Sequence, residues 1–178
     1  MITGQESTDL CKIYGCSDRI TELNLPKILP DNTIGLNRLP LYHKTKYWIW
    51  LDHPKYQNKI WIWNGSKYVI YKKFEPNGGG PDDLDGSGTS ATFALHLAYK
   101  LGFKKAELYG ILDGTYRLID NTPRLPLHWK YSYKHFYTSY ETYNPETHVK
   151  PLIQLMQFKN IIYKYQQIID VYIPYRTI

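Results

Sequence analysis

The stretch that most constrains this chain is KIWIWNGSKYVIYK, residues 59–72. Two aromatic and β-branched runs flank Asn64-Gly65, the dipeptide that most readily supplies the positive-φ positions of a two-residue hairpin turn. The stretch predicts a β-hairpin, so the chain carries at least one antiparallel pair. Directly after it comes FEPNGGGPDDLDGSG, residues 74–88, with Gly78, Gly79, Gly80, Pro81, Gly86 and Gly88. That composition supports neither a helix nor a strand interior and predicts a mobile loop.

On either side of this pair the order is different. Leu10 to Gly15 reads as a short buried strand. Ser17 and Asp18 are N-cap candidates for a following helix, with Glu22 in its first turn and Pro26 and Pro30 limiting its length. Thr33 to Leu36 and Lys46 to Leu51 read as two more strands. Beyond the loop, a helix is expected from about Ser90 to Leu101, stopped by Gly102. A strand from Ala106 to Leu112 follows, then a tyrosine-rich stretch over 114–145, a helix near 146–163 with Pro151 in its first turn, and a last strand from Ile168 to Ile173. Strand–helix alternation at both ends, with a hairpin between, predicts an α/β fold: a Rossmann-like three-layer sheet, mostly parallel, with an inserted β-hairpin.

The length of 178 residues fits one domain spanning 1–178, large enough to bury a core without disulfides or metal. Cys11 and Cys16 are too few for a disulfide framework, and no ligand cluster beside them completes a zinc site; both read as reduced apolar residues. No apolar run approaches the roughly 20 residues that cross a bilayer. The opening MITGQESTDLCK lacks a basic region followed by an apolar one, so a cytoplasmic protein is the expectation. The aromatic share is 16%, with 18 Tyr against 5 Phe and 5 Trp, and the net charge is +6. That charge gives modest steering toward anions and does not choose a partner.

Ligands of such sheets bind beyond the carboxyl ends of the strands. The expected ends are Gly15-Cys16-Ser17, Asn37-Arg38, Asp52-His53 and Asp113-Gly114. Gly86 to Ala91 (GSGTSA) precedes a helix, where Thr89 and Ser90 hydroxyls and backbone N–H groups could hold a phosphate. It lacks the lysine of a P-loop and the spacing of a dinucleotide fingerprint, and a plain helix cap is the other reading. Asp83-Leu84-Asp85 has the acid-x-acid form of a divalent-metal holder, but a solvated turn is the simpler reading, and no metal is expected. His135, within the tyrosine-rich stretch, and His148, just after it, are the acid–base candidates, with a structural role as the other reading; His96 falls inside a helix and reads as structural. Residues 129–143, WKYSYKHFYTSYETY, interleave basic and aromatic side chains. That suits stacking on nucleic acid, a lid over a nucleotide, or an interface between copies of the chain in a homo-oligomer.

Two segments carry a family resemblance. GTSATFALHLAYKLGFKKAELYGILDGTY, Gly88 to Tyr116, and ILPDNTIGLNRLPLYHKTKYWIWLD, Ile28 to Asp52, resemble the small bacterial sialyltransferases that use a CMP-sugar donor. They also resemble the wider nucleotide-binding superfamily that includes the archaeal hydroxymethylpterin diphosphokinases. THVKPLIQL and IIDVYIP are a weaker echo of the family's last helix and strand, and the likeness covers about half the chain. The resemblance implies that Asn37 contacts the donor's phosphate or sugar and that Thr89 and Ser90 contact the nucleotide or its phosphates. It also implies that Gly110 lets the backbone pass close to the ligand and that Tyr116 supports the departing phosphate. Arg117 joins Tyr116 on charge grounds. The family's Gly-Asn-Gly-Pro-Ser turn is only Gly15-Cys16-Ser17 here, and Tyr143 falls in register with its catalytic histidine, between His135 and His148.

The expected function is therefore a nucleotide-dependent, glycosyltransferase-like transferase. It would move a group from a nucleotide-activated donor, a substrate and not a resident cofactor, to an acceptor hydroxyl deprotonated by His135 or His148. The contrasting expectation is a non-catalytic module of the same fold that binds nucleic acid or protein, or a transferase whose acceptor is nucleic acid.

Overall fold

The computed structural model describes residues 9–16, 18–73, 90–111 and 165–172. Among them one mixed sheet holds seven strands: β1 (Leu10–Tyr14), β2 (Thr33–Leu36), β3 (Tyr47–Ile49), β4 (Lys59–Trp63), β5 (Tyr68–Lys73), β6 (Lys105–Tyr109) and β7 (Asp170–Tyr172). Their spatial order is β5-β4-β3-β2-β1-β6-β7. β1 runs parallel to both β2 and β6, β2 to β3, and β6 to β7, while β4 and β5 add antiparallel pairs at one side. The sheet is mostly parallel and the architecture is of the α/β kind. The chain builds outward from β1 through β2 and β3, then resumes on the other side with β6, so its direction of winding reverses between β1 and β6.

Local chemistry explains the elements. The turn between β4 and β5 is held by Asn64, whose Oδ1 accepts from the Ser66 and Lys67 amides, while Gly65 takes φ 98°. Helix α2 (Ser90–Lys100) buries Ala91, Thr92, Phe93, Ala94, Leu95, Leu97 and Ala98, and so is enclosed on nearly every side. It ends in a Schellman cap: Gly102 at φ 89° donates to the Tyr99 carbonyl, and Phe103 donates to that of Ala98.

Alternation along β1 feeds two cores. Cys11 and Ile13 pack with α2, Ile34, Leu36, Ile49, Ile60, Leu108, Ile169 and Val171. Tyr14 joins Cys16, Ile20, Leu29 and Leu39 in the second. That second cluster draws on a 3₁₀ helix, Asp18–Leu23, and on the four-residue helix α1 (Leu39–Tyr42).

Several elements differ from the sequence expectation. The first helix is 3₁₀ and stops at Asn24, which takes φ 48°. The strand expected over 106–112 starts one residue earlier and ends at Tyr109, because Gly110 turns to φ 62°. β3 is shorter than 46–51, since Trp50 leaves the ladder to stack on Tyr56. α1, with Pro40 in its first turn, has no counterpart in the sequence expectation. The Gly/Pro loop over 74–88, the tyrosine-rich stretch and the helix near 146–163 lie outside the described residues. No helix among the described residues is long and apolar enough to cross a membrane.

Candidate functional site

The carboxyl ends of β1, β2 and β6 lie side by side, and the expected site residues meet there in two contacts, Asn37 with Ser90 and Gly15 with Gly110. Asn37 follows β2 and takes φ 51°, a left-handed conformation that asparagine tolerates better than most residues. Its backbone is pinned twice: its N–H donates to the Ile49 carbonyl (2.9 Å), and its carbonyl accepts from Trp48 Nε1 (2.7 Å). This fixes the side chain toward α2. There Ser90, the first residue of the helix, donates its hydroxyl to Asn37 Oδ1 at 3.0 Å. Fifty-three positions of sequence separate the two side chains. With Oδ1 occupied, the Asn37 Nδ2 amino group supplies donors at this point, next to the positive end of the α2 dipole. Donors of that kind suit an anionic oxygen.

Gly15 and Gly110 close the gap between β1 and β6 where the winding reverses. The Gly15 amide donates to the Tyr109 carbonyl at 2.8 Å. A Cβ on Gly15 would collide with the Gly110 carbonyl, and one on Gly110 with the Ile20 side chain. Glycine is required at both positions by protein packing, whatever ligand lies beyond. Arg38, the N-cap residue of α1, is exposed beside Asn37 and brings positive charge to this edge.

Cys16 completes the floor. The thiol donates to the Leu36 carbonyl at 3.3 Å and is 5% exposed. Burial pushes its pKa from 9.0 up to about 11, against the opposing pull of the Arg38 and Leu39 amides and the Arg38 charge. It is a structural tie between β1 and β2 and not a nucleophile. Cys11 is buried as well, and both are free thiols.

Sequence reasoning misses two parts of this arrangement. Trp48 reads only as a strand residue, although alternation in KYWIWL turns it away from the core face that holds Ile49. Cys16 reads as a small apolar filler, yet it bridges two strand ends. Of the other candidates, Ser17, Thr89, Asp113, Tyr116, Arg117, His135, Tyr143 and His148 lie outside the described residues, as does Asp83-Leu84-Asp85. His96 sits in α2 with its ring near Tyr99 and Tyr165. Among the described residues, no group of three or more His, Cys, Asp or Glu is placed to hold a metal ion. No family model, curated protein or solved structure matches the chain.

Proposed function

We propose that the chain is a nucleotide-dependent, glycosyltransferase-like transferase on a Rossmann-type three-layer sheet, with its donor over the carboxyl ends of β1, β2 and β6. The Asn37–Ser90 hydrogen bond carries this reading. Two residues that the sequence resemblance assigns to one donor meet at the edge where open α/β sheets bind ligands, next to the reversal of winding. The Asn37 Nδ2 amino group and the amino end of α2 would hold the donor's phosphates and stabilise the negative charge that develops on the leaving group, with the Ser90 hydroxyl holding the Asn37 side chain in place. Arg38 adds long-range attraction for the donor. His135 or His148 would take the acceptor's hydroxyl proton.

The test is equilibrium binding and turnover across CMP-, UDP- and GDP-sugars and ATP, with wild type and the N37A and S90A variants. The reading expects at least one nucleotide to bind, N37A to weaken it by about tenfold, the equivalent of one good hydrogen bond to a charged oxygen, and S90A to weaken it less, through the lost orientation of Asn37. Binding of none of the panel, or binding indifferent to both substitutions, overturns it.

A further inference from the structure

The chain's excess charge is concentrated in one place. Residues 41–73 contain seven lysines and a single acidic residue, Asp52. They carry a net +6, equal to that of the whole chain, whose other residues balance at fifteen basic and fifteen acidic. The same segment holds four of the five tryptophans. Its fold gathers three of these tryptophans on one face of the sheet. Ile49, Ile60 and the partly buried Tyr47 point to the α2 core. Alternation therefore turns Trp48, Trp61 and Trp63 to the opposite face, and pairing sets Ile70 opposite Trp61 and Tyr68 opposite Trp63.

Lysines bracket this aromatic band. At one end Lys44 Nζ lies 5.7 Å from the Trp63 ring and 5.8 Å from that of Tyr68. At the other, Lys59 Nζ lies 5.7 Å from the Trp61 ring. Lys59 is also the direct cross-strand partner of Lys73. Two like charges directly opposite on one face destabilise a strand pair, and no acidic residue occurs between His53 and Lys73 to offset them. Trp61 and Trp63 remain half-buried, and Ile70 is 44% exposed.

We propose that this face of β3–β5 binds single-stranded nucleic acid, the bases stacking on Trp61 and Trp63 and the phosphates lying between Lys59 and Lys73 and toward Lys44. An anionic backbone relieves the lysine repulsion, and bases supply π faces for the half-buried indoles. An aliphatic or neutral partner would do neither. This surface is separate from the nucleotide site, and its test does not depend on that site's activity.

Anisotropy of a labelled 12-nucleotide oligo(dT) would be titrated with the intact chain across a salt series, with heparin and poly-glutamate as polyanions lacking bases. Binding should weaken with salt. The K59Q/K73Q variant should flatten the log–log salt slope by about 1.4, since each phosphate that a lysine neutralises on a single strand adds about 0.7 to that slope. It should also melt no lower than wild type, because the repulsion is gone. W63A should weaken binding by roughly 5- to 140-fold at fixed salt, the worth of one stacked base. No oligo(dT) binding at low salt overturns the proposal. So does competition by heparin or poly-glutamate equal to that by oligo(dT), or a K59Q/K73Q variant that binds like wild type. Should W63A fail to fold, the double lysine variant decides alone.

Discussion

Asn37 concentrates the local physics of the candidate site, because its backbone and its side chain do different work. The left-handed backbone at φ 51° would cost a β-carbon-bearing residue without a polar side chain about 1–2 kcal/mol. The side chain accepts from Ser90, a bond worth about 1 kcal/mol net. Asn37→Ala should therefore lower stability by about 2 kcal/mol. Asn37→Gly, which keeps the turn and loses only the bond, should cost about half as much. Denaturant unfolding of the two variants and of S90A measures both parts. A cycle of N37A with S90A should return a coupling of about 0.5–1 kcal/mol. A coupling of zero would mean that the pair only touches. Cys16 makes a second residue-scale prediction, in pH. Its folded pKa near 11 lies above its ordinary 9.0, so the folded state holds the proton more tightly than the unfolded chain. Its stabilisation is complete below about pH 9 and lost as the pH rises through about 11. Stability should fall by about 1.4 kcal/mol per pH unit across that window. Urea unfolding from about pH 7 to about pH 10.5 should show a shallower fall in Cys16→Ala than in wild type, whatever their difference at neutral pH.

At the scale of elements, one phenol ties the edge strand of the antiparallel pair to the segment before β3. Tyr68 on β5 reaches across β4, donates its hydroxyl to the Thr45 carbonyl (2.8 Å) and accepts from the Thr45 amide (2.9 Å). Burial raises its pKa to about 12, so the group stays a donor through neutral pH. Tyr68→Phe leaves the Thr45 amide buried without its partner and should cost about 1–3 kcal/mol. Faster hydrogen exchange at Thr45 would locate the loss; an unchanged exchange rate there would show that the bond is dispensable. Such long-range ties are the part of the molecule that a sequence does not display. The turn at Asn64-Gly65 is legible because its signal is local, and so is the stop of α2 at Gly102. The lengths of β3 and β6 are not, because tertiary contacts end those strands. Trp50 leaves the ladder for Tyr56, and the turn at Gly110 lies against Ile20, where no Cβ would fit. The site is legible only as separate pieces. Asn37 and Ser90 stand out as a strand-end residue and a helix-start residue, but their bond is a product of sheet order, which no local pattern encodes.

For the whole molecule, the sheet presents two surfaces of different chemistry. The carboxyl edge offers neutral donors, a helix end and the charge of Arg38, suited to one small anionic group. The β3–β5 face offers fixed cations and indoles, suited to an extended polyanion with bases. Trp48 links them among the described residues: its ring stands at 6.2 Å from that of Trp61 while its Nε1 donates to the Asn37 carbonyl. If the sheet is rigid, the two surfaces should behave as independent sites. K59Q/K73Q should then leave nucleotide affinity unchanged, N37A should leave oligo(dT) affinity unchanged, and the combined variant should lose both by the separate amounts. Trp48→Phe should break the pattern. It keeps most of the aromatic packing but removes the bond that holds the Asn37 carbonyl, so it should weaken nucleotide binding with little effect on oligo(dT). Measuring both affinities in all four variants checks this. If oligo(dT) binding instead changes nucleotide affinity in wild type and not in Trp48→Phe, the sites are coupled through that indole, and the coupling must be reciprocal.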